Sequence, residues 1–285
     1  MKPIETRIYD HYDNLSRSER RLADVVLEHQ RDLPSYTATE LASHAGVSKA
    51  TAARLFKSLG YSTFDEAKRE VRNARYWGSP LAVVEGQNGE DVPGASLQGV
   101  VQADVANLKM TMDSLSAADL EKAVRMMNEA ARIRIVGLRN SFGLAHLARH
   151  YLGFARADVQ AMPVGGASWG EEVASLSSGD LMFAIGFRRR PKILARLLQT
   201  AQAMGVGTVL LTDMSATMSA KYADVVLRCH SKCPAPFSSF TAAITVINYL
   251  AWALIEAQGP NGIDRLRQID DLITSLDDVS QPAKR

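Results

Sequence analysis

Cysteine is nearly absent from this chain: two occur in 285 residues, Cys229 and Cys233. A disulfide scaffold needs more of them in a shorter chain, and a structural zinc site needs four ligands. The pair lies four residues apart beside His230, with no second ligand pair, so the expectation is two reduced thiols, no metal and no cofactor. Long hydrophobic runs are missing too. The longest apolar segment, 240–255, is shorter than the roughly 18 residues of a membrane span and carries Asn248 and threonines. The opening stretch MKPIETRIYDHYD has charges where a signal peptide needs an apolar core. These absences predict a cytoplasmic location and no membrane partner. An excess of one charge sign is also lacking: the net charge is +2, too small to name a polyanionic partner by itself.

What is present fits a globular chain of two domains. Hydrophobic residues make up 46% and charged residues 22%, ordinary values for a folded protein of this length. No internal repeat is visible. The small positive excess is localised: residues 1–77 hold 13 Lys/Arg against 11 Asp/Glu, and the remainder holds 20 of each. Within 47–75, Lys49, Arg54, Lys57, Lys68, Arg69, Arg72 and Arg75 face only Asp65, Glu66 and Glu70. Such a patch suits phosphate contact, although charge alone equally describes a solvated helix face.

Residues 1–77 read as all helix, with apolar residues at helical spacing (Leu22, Val25, Val26, then Leu41 and Ala45). Ser16 to Glu19 is a capping box that opens a helix. Residues 78–99 hold five Gly and two Pro and form the best linker candidate. Helical patterns resume over 100–114 and 117–130. From Arg132 short β-branched runs alternate with helical stretches. Strands are expected at 133–136, 159–162, 181–185, 208–211 and 225–227, with helices at 142–155, 191–204 and 216–222 between them. That alternation argues for a parallel sheet covered on both faces. A long apolar helix is expected over 237–257, ended by Gly259-Pro260, and a last amphipathic helix over 263–276.

The most informative stretch is TELASHAGVSKATAARLFKSLGY, 39–61. Thr39 to His44 is a short helix. Gly46 is free to take the positive φ that ends it, Val47 packs under the turn, and Ser48 caps a second helix that Gly60 terminates. Ala42, Ala45 and Ala52 permit close crossing, while Leu41, Val47, Leu55 and Leu59 fill the core. The outward face of the second helix is then expected to present Ser48, Lys49, Thr51, Arg54 and Lys57, polar groups for base edges and cations for phosphates, with Thr39 nearby. A helical hairpin without a nucleic-acid role is the rival reading.

LSRSERRLADVVLEHQ followed by TATELASHAGVSKATAARLFKSLGYSTFDEAKRE resembles the N-terminal domain of the RpiR/MurR regulators over residues 4–75. The carrying features are Ser-x-x-Glu-Arg, the Ala-Gly-Val-Ser turn, Ala50-Thr51, Arg54, and Leu-Gly-Tyr before Phe64. Ala52-Ala53 departs from the bulkier aliphatics usual there. The resemblance implies a second, α/β domain of the sugar-isomerase (SIS) type over about 120–260, a five-stranded parallel sheet flanked by helices. The resulting division is a helix-turn-helix domain 1–77, a linker 78–99, a SIS domain 100–264, and a C-terminal helix and tail 265–285.

SIS ligands, commonly phosphorylated sugars, lie at the carboxyl ends of strands near helix N-termini. The resemblance therefore assigns an effector site to Gly137, Arg139, Asn140 and Ser141 after the first strand, and to Gly186, Arg188 and Arg189 after the third. Thr212, Ser215 and Thr217 follow the fourth strand, and Ser239 opens the long helix, unless it is only a cap. Arg139 stands where the family often has a second glycine. Gly186-Phe187-Arg188-Arg189-Arg190-Pro191 stands where it usually has a Ser-x-Ser-Gly-x-Thr phosphate cradle. Guanidiniums bind phosphate, but also carboxylate or sulfonate, so the ligand class stays open, as does which arginine faces it.

The implied function is a DNA-binding transcription regulator, not an enzyme, that senses a small anionic metabolite. Its DNA partner would be a double-stranded palindromic operator, and its own state a homodimer or tetramer. A SIS-type isomerase is the rival class. Its base would come from His146, His150, Glu171, Glu172 or His230, but the chain also carries a DNA reader and lacks the serine cradle. An architectural DNA binder without effector is a third reading.

Overall fold

The computed structural model describes residues 4–12, 15–28, 33, 36–76, 96–188 and 190–276. The chain divides into two compact units, Met1–Gly94 and Ala95–Arg285. Most of the expected linker 78–99 lies outside the described residues. Its last four residues instead open a helix, with Ser96 Oγ accepting the Gly99 N–H.

The first unit is helical: α1 (Ile4–His11), α2 (Arg17–Glu28), α3 (Ala38–His44), α4 (Lys49–Ser58) and α5 (Phe64–Tyr76). The Ser16–Glu19 capping box forms, Glu19 receiving the Ser16 N–H at 2.9 Å. A second box, unnoticed in the sequence, starts α3: Thr37 and Glu40 exchange side-chain-to-backbone bonds of 2.6 and 3.2 Å. One apolar core of Ile4, Ile8, Leu22, Val26, Leu41, Leu55, Phe56, Leu59 and Tyr61 joins all these helices with Ala67 and Val71 of α5.

The second unit opens with α6 (Leu97–Ser114) and α7 (Ala117–Glu129). Next come β1 (Ile133–Gly137), α8 (Phe142–Ala155), β2 (Val159–Met162), α9 (Trp169–Ala174), β3 (Leu181–Gly186), α10 (Lys192–Ala203), β4 (Gly207–Asp213) and β5 (Val225–Cys229). Helices α11 (Thr241–Gln258) and α12 (Pro260–Ser275) close it. The sheet is five-stranded and parallel, in the order β2-β1-β3-β4-β5. Alternate residues of these strands point to opposite faces. Ile133, Ile135, Phe183, Val209 and Leu227 meet α7, α8 and α11; Val136, Met182, Ala184 and Leu210 meet α9 and α10. Burial on both faces explains why the strands are predominantly apolar.

Three helix expectations need correction. Residues 216–222 form only a 3₁₀ turn over Ser219–Tyr222, with Ala220 and Tyr222 packed against the core on the α10 side of the sheet. The long helix begins at Thr241 rather than 237. The preceding segment is irregular and tied elsewhere: the Ser239 N–H donates to Ser231 O, and Thr241 Oγ1 donates to Asp104 of α6 at 2.8 Å. Helix α12 starts at Pro260, so a boundary at 264 falls inside it. Residues 277–285 lie outside the described residues.

Among the described residues no helix is long and apolar enough to cross a membrane. Cys229 is buried, which pushes its thiol up to about 12, and it forms no disulfide with Cys233.

A buried ion pair fastens the entry of the sheet. Asp180, 2% exposed, receives Arg132 Nε and Nη2 at 2.9 and 2.6 Å and the Ser177 N–H at 2.8 Å. Arg132 first, then Ser177, hold this carboxyl below the usual carboxylate range against the opposing effect of burial. Its stabilisation is therefore complete above the ordinary carboxylate pKa and is lost as pH falls through the lowered one. Asp180→Asn should lower the melting temperature by roughly 5–10 °C at neutral pH. The gap from wild type should stay constant down to about pH 5 and narrow below about pH 4. Thermal melts across that range test this; a gap that widens in acid contradicts it.

Candidate DNA-reading helix and strand-end anion site

In the first unit, α3 and α4 form a helix-turn-helix. Gly46 takes φ +61°, and the Val47 N–H reaches back to Ala42 O at 2.8 Å, closing α3 with a left-handed cap. Ser48 then caps α4, its Oγ accepting the Thr51 N–H at 3.1 Å. At the far end Gly60 takes φ +84° and the Tyr61 N–H bonds Phe56 O. Arg7 of α1 adds a cap from outside, donating Nη1 to Leu59 O at 2.8 Å. The same guanidinium lies 4.5 Å from the Tyr61 ring centre and 3.6 Å from Glu70. Burial and then Glu70 push the Tyr61 phenol upward, so it stays a donor to Glu70 at 2.8 Å.

The exposed side of α4 carries Lys49, Ala50, Ala53, Arg54, Lys57 and Ser58, with Ser48 at its start and Thr39 exposed on α3. Thr51 does not belong to it. It is 5% exposed, contrary to the sequence expectation, because the buried stripe of α4 runs through 51, 52, 55, 56 and 59. Its hydroxyl meets Ser48 Oγ at 3.0 Å and receives Arg54 Nη2 at 3.3 Å. Thr51 thus positions its neighbours. Ala52 is fully buried and Ala53 exposed, so the small side chain at 53 does not weaken the core.

In the second unit the strand-end loops meet at the carboxyl edge of the sheet. Gly137 is required by packing: a Cβ there would lie 2.3 Å from Ser141 O and 2.6 Å from Ala145 Cβ. Arg139, in a single 3₁₀ turn, has φ +55°, a left-handed conformation that favours the family's glycine. Arg139 and Asn140 are exposed. Ser141 is 2% exposed, and its Oγ accepts the Phe187 N–H at 3.1 Å, linking the first and third loops.

Asp213, at the end of β4, organises the rest. Its Oδ2 accepts the Arg188 N–H at 2.6 Å and Arg190 Nη1 at 2.8 Å. Its Oδ1 accepts the Ser215 N–H at 2.8 Å and the Ser215 hydroxyl. Arg190 Nη2 also donates to Ser215 Oγ at 2.8 Å. Arg190 thereby bridges the third and fourth loops, while Arg188 is half-buried and Arg189 lies outside the described residues. At Gly186 a Cβ would meet Leu194 Cδ2 at 2.3 Å, so a side chain there would have to displace Leu194.

Two expected contacts take other duties. Thr212 is fully buried and donates to Gly186 O at 2.5 Å, so its hydroxyl joins β3 to β4 and does not face a ligand. Ser239 Oγ accepts the Thr241 N–H at 3.2 Å, a bond at the entry of α11. Thr217 is half-buried in the loop after β4. Arg228 of β5, unremarked in the sequence, is half-buried and sends Nη1 to Asp213 O at 3.4 Å. A basic residue within an apolar strand was the only signal of it.

The candidate bases of an isomerase are accounted for differently. Glu171 caps Ser168, and Glu172 accepts the Val164 N–H at 2.6 Å. His146 packs on Phe142 and His150 on Phe154, along the exposed side of α8. Among the described residues no cluster of His, Cys, Asp and Glu could hold a metal.

Residues 2–75 match the helix-turn-helix domain of the rpiR family, and residues 126–253 match the SIS domain. The chain belongs to the RpiR family of transcriptional regulators. It is 24% identical to the HTH-type transcriptional regulator HexR of Pseudomonas aeruginosa, covering 95% of both chains. The sugar isomerase domain of an RpiR transcription factor from Sphaerobacter thermophilus is 26% identical with TM-score 0.57, over 60% of this chain and 96% of that one. The Vibrio vulnificus NanR protein, solved complexed with ManNAc-6P, has TM-score 0.58 at 20% identity, over 96% of this chain and 98% of that one; that likeness concerns the fold. With both domains matched in order, this chain is a transcriptional regulator that carries a helix-turn-helix and a SIS domain.

The two packing glycines give a direct check. Gly137→Ala forces a Cβ against backbone that cannot move without disturbing Ser141. It should cost about 2–3 kcal/mol, read as an earlier thermal melt with DNA affinity retained at low temperature. An unchanged melt would mean the β1 loop is loosely packed.

Proposed function

We propose that this regulator reads a palindromic operator through α4 and changes its grip when the SIS unit takes up a small anion at its strand ends. The carrying observation is that one chain holds both an exposed cationic helix face (Lys49, Arg54, Lys57) and a guanidinium-rich strand-end cluster. Ser48 and Thr39 supply further polar groups to the DNA side. On the effector side the candidates are Arg139, Asn140, Ser141, Arg188, Arg189, Ser215 and Thr217, with Gly137 and Gly186 shaping the loops.

The favoured effector is a phosphosugar or related carbohydrate metabolite. The complex of the NanR protein with ManNAc-6P supplies the chemical precedent. A carboxylate or sulfonate is the second reading, because arginines stand where the family has a serine cradle and guanidinium forks accept all three groups.

Reading a palindrome calls for a symmetric dimer or a tetramer. The outer side of α11 supports self-association, since Ile244, Tyr249 and Trp252 remain 39–52% exposed while its inner side is buried. Effector can act only through unequal affinity for the two arrangements of the heads.

Lys49→Ala and Arg54→Ala should each weaken operator binding, and the salt slope should fall by about one for a phosphate contact. Fluorescence anisotropy against salt measures both; wild-type binding by both variants would remove α4 from the interface. A thermal-shift screen of sugar phosphates, carboxylates and sulfonates, with hits carried into operator-release assays, tests the sensor. Absence of any hit would leave a DNA binder without effector.

A further inference from the structure

Asp213 has no capacity left. A carboxylate offers about four lone-pair positions, and those of Asp213 already serve the Arg188 N–H, Arg190, and both the N–H and hydroxyl of Ser215. Arg228 therefore reaches only the main-chain oxygen of Asp213, at the long distance of 3.4 Å. No carboxylate pairs with it among the described residues. Its register partner on β4 is Thr212, and it follows Val226 on the sheet face that α9 and α10 cover, at the carboxyl end where the loops meet. Burial, followed by the charge of Arg190, disfavours its protonated form. Two half-buried guanidiniums thus lie beside one saturated carboxylate to which only Arg190 is bonded, an arrangement that costs free energy unless a further anion joins it.

We propose that Arg228 and Arg190 together grip the charged end of the effector, and that this end is a phosphate-type oxyanion. The assignment rests on reading the SIS unit as the sensor and adds the anchoring residue and the charge class. The geometry favours a tetrahedral group. Arg190 approaches from the β3 loop and Arg228 from β5, so a ligand with several terminal oxygens can meet both. Two guanidiniums also bring two positive charges, which a phosphate matches with up to two negative charges and three terminal oxygens, where a carboxylate offers one charge and two oxygens. Asp213 is the internal counterion that holds Arg190 between the loops, and a phosphate competes with it for the same guanidinium. Loop position and anion occupancy are thereby linked.

The full-length protein is titrated with inorganic phosphate near neutral pH, with acetate at equal ionic strength as control, and melting temperature is read. Phosphate should raise the wild-type melt and acetate should not. Arg228→Met should weaken the phosphate midpoint at least about tenfold. It should not lower the melt without phosphate, because an unpaired half-buried charge has been removed. Arg228→Lys keeps the charge but loses the fork and should fall between the two; it decides the matter alone if the Met variant does not fold, an unchanged midpoint overturning the proposal. A lower melt for Arg228→Met with the phosphate shift intact would make Arg228 purely structural and overturn it. Equal shifts by acetate and phosphate would overturn the charge class. A sugar-phosphate response that survives in Arg228→Met removes this anchor and leaves the sensor reading standing, whereas no response of the wild type to any anion removes both.

Discussion

Asp213 is the one side chain on which the strand-end region depends. It sits where β4 stops, it is 4% exposed, and it accepts from residues before α10 and after β4 at once. A buried carboxylate is tolerable only when its lone pairs are filled and its charge is matched. Meeting that condition draws Arg190 across from the neighbouring loop and fixes Ser215. The loops of a parallel sheet normally diverge as they leave the strands. Here electrostatics hold two of them together, and Ser141 adds a third through the Phe187 N–H. An anion that draws on Arg190 meets a guanidinium already engaged with an internal carboxylate, so binding to it is an exchange of partners.

The first unit solves a different problem with the same means. A recognition helix has to be exposed on one side, yet α4 is only Lys49–Ser58, too short to be stable by itself. Both ends are therefore closed by local chemistry. Ser48 satisfies the first turn and Gly60 ends the last one, while Arg7 reaches from α1 to Leu59 O and is itself fixed by Tyr61 and Glu70. With the ends capped and the stripe 51, 52, 55, 56, 59 buried, the remaining face is free to carry Lys49, Arg54 and Lys57.

Most of this architecture was legible in the residues. The five strands stand out because each is a mostly apolar run between turn residues, broken by polar side chains at Arg134, Gln160, Thr208, Thr212 and Arg228 before Asp213 ends β4. Gly46 and Gly60 were legible because only a left-handed turn explains them at those positions. Thr51 was misread because its polarity suggests exposure, while helix phase and two hydroxyl partners place it inward. The start of α11 was misread because Phe237 to Phe240 continue its apolar composition. What stops the helix there is tertiary, the tie of Asp104 to Thr241 and of Ser239 to Ser231. Arg228 was illegible for the same reason: nothing within β5 tells that the carboxylate it approaches is already full.

Arg139 carries this argument one step further. A non-glycine residue held at φ +55° costs about 1–2 kcal/mol per residue relative to a conformation it would choose freely. Packing does not account for the arginine, since its side chain is exposed and glycine would meet the backbone requirement without strain. The same loop keeps Gly137, where a side chain is excluded by Ser141 O, so glycine is used in this loop where only geometry matters. The strain at Arg139 and the uncompensated charge at Arg228 are therefore two costs of the same kind, both borne at the carboxyl edge of the sheet and both by guanidiniums. A sheet edge that served only to hold the fold together would be more stable with neither.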